Sequence, residues 1–164
     1  METGTRPSPT LSRATEADLP ELLPLFAGYR AFYGAGPEPG REERFLRARL
    51  AHGESVVLLA RRDGRATGFV QLYPLFSSVR MSRTWVLNDL YVEPTDRGAG
   101  TASALLAAAA AFGRADGAIE LMLQTAHDNA PARALYERHG WVPDREFAVY
   151  TLDLTPGPAQ TPRG

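Results

Sequence analysis

A strand-like stretch from Thr84 to Val92 leads within a few residues to two glycines one position apart, Gly98 and Gly100. An alanine- and leucine-rich helical pattern follows at once. A strand that turns so quickly into a helix commits the chain to a sheet with a helix packed on it. The corner also has chemistry. The first turn of a helix carries N–H groups without intrahelical acceptors, and the helix dipole favours negative charge there. Gly98 and Gly100 allow dihedrals and close approaches that side chains forbid. Residues 97–102 are therefore a candidate anion site suited to a pyrophosphate, with Arg97 adding a permanent positive charge. The alternative is a plain strand-turn-helix corner whose glycines serve only the turn.

Two familiar phosphate loops compare poorly with this segment. The Walker loop requires a lysine, and all 18 basic residues of this chain are arginines. The dinucleotide fingerprint is matched by Gly98 and Gly100, with Glu120 about 20 residues on for a ribose contact. Ser103, however, stands where its third glycine belongs.

The remaining pattern predicts one domain over 10–154, with 1–9 and 155–164 as flexible tails rich in Pro, Gly, Thr and Ser. A short strand over 11–14 precedes a helix capped by Thr15, whose apolar face is Leu19, Leu22, Leu23 and Phe26. Pro24 should kink or segment that helix. A loop over 34–40 leads to a second helix over 41–52. A strand over 55–61 ends at the hairpin signal Asp63-Gly64, and its return strand is closed by Pro74. A longer strand over 84–92 precedes a helix over 100–114, a strand over 118–124 and a helix over 130–138. An alternating strand from Phe147 to Leu154 ends the domain. The mixture predicts an α/β or α+β sheet with helices on both faces.

A net charge of −1 supplies no strong field to recruit nucleic acid or a membrane surface. The absence of cysteine excludes thiolate catalysis and disulfides. No histidines and carboxylates share metal-ligand spacing, so no metal is expected. Neither a spanning segment nor a signal peptide is visible, and a cytoplasmic location is expected.

Arg97-Gly98-Ala99-Gly100-Thr101-Ala102 matches the signature [RQ]-x-x-G-x-[GA] of the GNAT superfamily of acetyl-coenzyme A-dependent N-acetyltransferases, which the sequence resembles. Leu90-Tyr91-Val92-x-Pro94 before it is also similar to that family. A second match is Asn129-x-x-Ala132-x-x-x-Tyr136-x-x-x-Gly140-Trp141. The resemblance covers 11–154. It implies a mixed, mostly antiparallel sheet splayed between the strands ending at Val92 and Gln124. Acetyl-coenzyme A would lie in that cleft as co-substrate, its pyrophosphate on the N–H groups of Arg97, Gly98, Ala99, Gly100, Thr101 and Ala102. Its pantetheine arm would pair with the backbone of Leu90, Tyr91 and Val92, and Asn129 would stand nearby.

The resemblance makes Tyr136 the acid that protonates the leaving thiolate; the residues alone favour a core aromatic between helix and sheet. Asp89 is the candidate base, or else a buried acid accepting hydrogen bonds. Leu87-Asn88-Asp89-Leu90-Tyr91-Val92 resembles the L-E-D-x-[FY]-V of the diamine and polyamine branch, but Asn88 replaces its glutamate, and a neutral amide cannot take a proton. In a regular strand only one of Asn88 and Asp89 reaches the cleft unless a bulge intervenes. Tyr29 and Tyr33, in Tyr29-Arg30-Ala31-Phe32-Tyr33, resemble an acceptor-pocket wall of amine-acetylating members. With Asn88 they are the candidate substrate residues. Glu38 could draw a cationic amine, whereas Glu42 and Glu43 read as a solvated helix start. The expected acceptor is a small primary amine such as a polyamine, amino acid or amino sugar. A protein amine and a catalytically idle acyl-coenzyme A sensor are the alternatives. The resemblance also implies a homodimer.

Overall fold

The computed structural model describes residues 7–155. Five strands form one sheet in chain order: β1 (Thr10–Arg13), β2 (Val56–Arg62), β3 (Arg65–Ser77), β4 (Ser82–Val92) and β5 (Leu121–Met122). All neighbours are antiparallel except β4 and β5, which are parallel. Four helices accompany them: α1 (Leu19–Phe32), α2 (Pro39–Ala51), α3 (Thr101–Ala115) and α4 (Ala130–Arg138). This is the mixed, mostly antiparallel α/β architecture that the sequence predicts.

β2 reads as an unbroken apolar run because both of its faces are covered. Val57 and Leu59 point into one core with Leu22, Leu25 and Leu46 of α1 and α2. Leu58 and Ala60 point into a second core with Leu105, Leu106 and Ala109 of α3. Each fully buried leucine contributes about 1.5–3 kcal/mol of burial energy, so the two cores together hold the helices against opposite sheet faces. Leu135, Tyr136 and Trp141, on and just after α4, pack against the α3 side. At the β2–β3 turn both Asp63 (φ 51°) and Gly64 (φ 77°) are left-handed, the geometry a two-residue hairpin demands.

Several elements depart from expectation. Pro24 lies inside a continuous α1. Its missing N–H falls early in the helix, and burial of Leu22, Leu25 and Phe26 carries the element past it. Pro74 does not close β3, which continues to Ser77. The β2 ladder ends at Leu72, so at Pro74 only β4 is paired and one edge is free, where a proline costs no ladder bond. The strand expected over 118–124 contracts to Leu121–Met122.

The strand expected from Phe147 to Leu154 does not form. No edge of the described sheet receives it, and Phe147, Tyr150 and Leu152 are 78%, 93% and 82% exposed. Its polar contacts are local turns at Asp144 and Asp153. Of the tails predicted at 1–9 and 155–164, residues 1–6 and 156–164 lie outside the described residues. No helix among the described residues is long and apolar enough to cross a membrane.

Candidate active site

β5 pairs with β4 only at Trp85 and Val86. The strands then part. Among the described residues, no strand pairs with the outer edge of Leu90, Tyr91 and Val92, whose inner edge is bound to Val70, Phe69 and Gly68 of β3. The chain next turns through a short 3-10 segment at Pro94–Asp96 into α3. Gly98 and Gly100 have φ of 76° and 85°, and a Cβ at either would meet nothing within 4 Å. Their need is conformational, and the space above them is open. An unpaired strand edge thus runs into a helix N-terminus, an arrangement fitting an extended amide-bearing arm that ends in a diphosphate.

Arg62, at the end of β2, holds this corner from beneath. Its Nε donates to Asp96 at 2.9 Å, and its Nη2 donates to the Ala99 carbonyl and to the Thr101 hydroxyl, both at 3.1 Å. Thr101 in turn donates to Asp96. Burial works to raise the Asp96 pKa, but the Thr101 hydrogen bond and the Arg62 charge outweigh it and hold the carboxyl below its usual range. The Thr101 side chain is thereby consumed by the scaffold, leaving its backbone N–H for a ligand. Arg97 donates from Nε to the Val92 carbonyl at 3.0 Å and lies over the Tyr91 ring. The Tyr91 ring also packs on α1, where a Cβ at Gly28 would come within 2.5 Å of its hydroxyl.

A β-bulge shapes a cleft on the α1–α2 face of the sheet. Gln71 pairs with Asp89 and Leu72 with Leu87, so Asn88 is an extra residue in β4. Strict alternation predicts that only one of Asn88 and Asp89 reaches the cleft. With the bulge, both line it. The cleft, of about 370 Å³, lies between the helix pair α1–α2 and strands β3 and β4. Its walls are Phe26, Tyr29, Phe45 and Tyr73, and its charged rim is Arg30, Arg41 and Glu42.

Asp89 is buried and accepts from Gln71 Nε2 at 2.6 Å and from Asn88 Nδ2 at 2.9 Å. Ser55 fixes the Gln71 amide by donating to its Oε1 at 2.8 Å. Burial, followed by the Asp89 charge, pushes the Tyr29 phenol far above its usual pKa. The same two causes push Tyr73 up to about 12. Burial also raises Tyr136, which lies close enough to Tyr33 and Tyr29 to share their electrostatic neighbourhood. All three phenols therefore carry their protons at neutral pH.

The fold thus brings Tyr29, Asn88 and Asp89 together in the cleft beside β4, whereas Tyr136 packs on the α3 side of the sheet and does not line that cleft. Tyr33 stands beside Tyr29, ring centroids 5.1 Å apart, but does not line the cleft. Asn129 caps α4 through Ala132 N–H and donates to Thr125 at 3.2 Å, so its polar atoms are engaged in the loop after β5. Glu42 corrects the sequence reading: it is buried and bound by Arg30, not solvated. Glu43 pairs with Arg47 on the surface, as that reading expected. Arg62, Gln71 and Ser55 were not visible as site residues. Each acts across 16 or more positions, and no local motif marks such a contact. No group of three or more potential metal ligands occurs among the described residues.

The model of the acetyltransferase (GNAT) family matches residues 22–141. An uncharacterised N-acetyltransferase of Bacillus subtilis, YhfO, is 44% identical over 144 residues, covering 88% of this chain and 97% of that protein. A crystal structure described as a probable acetyltransferase superposes with a TM-score of 0.86 at 40% identity, covering 90% of this chain and 99% of that one. A predicted acetyltransferase of Clostridium acetobutylicum solved with acetyl-coenzyme A shares the fold, with a TM-score of 0.71 at 17% identity and coverage of 87% and 96%. The open strand edge, the glycine-bearing helix start and these likenesses agree: the chain belongs to the GNAT family and is an acetyl-coenzyme A-dependent N-acetyltransferase.

Proposed function

We propose that the protein acetylates the primary amine of a small molecule bound in the aromatic cleft between α1, α2 and the bulged part of β4. The observation that carries this is the bulge at Asn88, which turns the Asp89 carboxylate into that cleft beside the unpaired edge of β4. An ammonium group is drawn to the carboxylate, and a cleft of this size suits a compact molecule.

The reaction then needs three services. Asp89, directly or through water, takes a proton from the ammonium nitrogen, freeing its lone pair. The nitrogen attacks the acetyl carbonyl carbon while a strand N–H at Leu90 or Tyr91 stabilises the charge growing on oxygen. The C–N bond forms, the C–S bond breaks, the departing coenzyme A thiolate takes the Tyr136 phenol proton, and the second proton shed by the nitrogen as the amide forms returns through water to the Tyr136 phenolate. Gln71, held by Ser55, orients the Asp89 carboxylate without neutralising it. Pyrophosphate binding falls to the amides of 97–102, whose shape Arg62 maintains.

The test is thiol release from acetyl-coenzyme A with a panel of small amines, a ribosomal protein and a lysine-rich peptide. Turnover confined to the small amines is expected; preference for the macromolecules overturns the assignment.

We also propose a homodimer in the cytoplasm. It is supported by the alternating apolar segment 147–154, which is exposed in the single chain and has the pattern of a strand lacking a partner. Light scattering on the full chain and on a chain ending at Glu146 tests it. A dimer that becomes monomeric on truncation is expected, and a monomeric full chain overturns it.

A further inference from the structure

Every carboxylate at the rim of the acceptor cleft is already matched by an arginine. Arg30 binds Glu42 through Nη1 and Glu38 through Nη2, the latter at 2.9 Å, and its Nη1 also donates to the Gly36 carbonyl at 3.0 Å. Glu42 accepts in addition from the Glu38 backbone N–H at 3.1 Å. Arg41 binds the second oxygen of Glu38 at 3.1 Å. Two arginines and two glutamates therefore cancel around the mouth of the cleft. Arg49, whose charge reaches Tyr73, is bound by Glu54.

Asp89 differs. Its hydrogen-bond partners, Gln71 and Asn88, are neutral amides, and Tyr29 beside it is a protonated phenol. Among the described residues, no guanidinium pairs with it. The cleft thus presents one uncompensated negative charge, inside walls that are otherwise rings. Those rings are arranged as a slab: Phe26 lies 5.9 Å from Phe45 at an interplanar angle of 8°, and 6.4 Å from Tyr29 at 22°.

We infer that the acceptor is a singly charged amine with a flat apolar body, and that Arg30 sets this preference by neutralising Glu42. This deepens the small-amine assignment and rests on Asp89 facing the acceptor. One ammonium group matches Asp89, and an aryl or similar flat portion covers the Phe26–Phe45 face. A diamine or polyamine carries a second ammonium group that meets either rings, whose cation–π attraction returns only part of its lost hydration, or the Arg30 guanidinium, which repels it. Removing Arg30 leaves the buried Glu42 carboxylate as a second anionic point, which is what a diamine needs.

The experiment compares kcat/KM for 2-phenylethylamine and 1,4-diaminobutane, at saturating acetyl-coenzyme A, in the wild-type protein and two variants. The wild-type protein is expected to favour the aryl monoamine by about tenfold or more. Arg30→Met should narrow or invert that ratio by raising the diamine value, with the KM for acetyl-coenzyme A unmoved. The double variant Arg30→Met with Glu42→Leu removes both charges and should retain the wild-type ratio. Wild-type preference for the diamine overturns the inference, and so does an equal loss on both amines in Arg30→Met. If Arg30→Met does not fold, the wild-type ratio and the double variant decide.

Should the protein turn over neither amine, the small-amine assignment is at fault, and binding separates the two failures. Calorimetric binding of 2-phenylethylamine to the coenzyme A-saturated protein, lost in Asp89→Asn, keeps the cleft inference. No heat from that amine overturns it.

Discussion

The Arg62 guanidinium reaches from the end of β2 to the Ala99 carbonyl, 37 positions away, and holds the loop between the two glycines ahead of α3. The same side chain binds Asp96 and Thr101 on either side of that loop. The amides proposed to hold the diphosphate are thus fixed before any ligand arrives, so binding would not have to order them.

Arg62→Met should separate positioning from stability. Breaking a buried ion pair by removing one partner costs about 3–5 kcal/mol, so the melting temperature should fall. Adding Asp96→Leu removes the stranded charge and should recover much of the stability. Affinity for coenzyme A, measured by calorimetry, should stay reduced by about tenfold in both, because Ala99 remains unheld. Recovery of affinity together with stability would reduce Arg62 to a packing residue.

Gly98→Ala and Gly100→Ala test the corner itself. At both positions the new methyl has open space, but φ lies in the left-handed region, which costs a non-glycine residue about 1–2 kcal/mol. The loop relieves that strain by shifting. Acetyl-coenzyme A affinity should therefore drop more than stability does, read by calorimetry beside a thermal melt.

Asp89→Asn keeps the shape of the bulge and removes the charge. If Asp89 takes the amine proton, kcat should fall by about a hundredfold or more, while the KM for acetyl-coenzyme A changes little. Gln71→Leu leaves the carboxylate but frees its orientation. A smaller loss of kcat is expected there, with partial rescue in Gln71→Asn.

Much of the architecture was legible in the chain, because periodicity reports burial. α3 shows its face through Leu105, Leu106 and Ala109, and β2 its two-sided burial through an unbroken apolar run. The family and the glycine-bearing corner were legible because a strand, two glycines and a helix start are contiguous. What could not be read depended on partners distant in sequence. The bulge at Asn88 exists only relative to Gln71 and Leu72 of β3, and it reverses the expectation that Asn88 and Asp89 take opposite sides. Glu42 reads as a surface acid until α1 brings Arg30 against it. The segment 147–154 has the alternation of a strand, yet alternation supplies no edge to pair with.

The buried Asp96 carboxylate makes stability depend on acid. Its folded pKa lies below the unfolded value of about 3.9. The stabilisation is therefore complete above that unfolded value and is lost as pH falls through the lower, folded one. Asp96→Asn should melt well below the wild-type protein at pH 7, and the gap should narrow on going to pH 3.

As the proposed acid, Tyr136 must still hold its proton when the thiolate leaves, and its half-buried position favours that. Burial raises its pKa above the usual phenol value of about 10, so the acid form persists across the whole range in which an amine is readily deprotonated. Tyr136→Phe removes the proton and keeps the ring that packs near Trp141, with centroids 6.2 Å apart in the native protein. Turnover should fall by about a hundredfold at neutral pH, with the affinity for acetyl-coenzyme A and the melting temperature nearly unchanged. The loss should shrink when the leaving group is a more acidic aryl thiolate, which departs without a proton. An equal loss with both thioesters would mean that Tyr136 shapes the cleft and does not act as the acid.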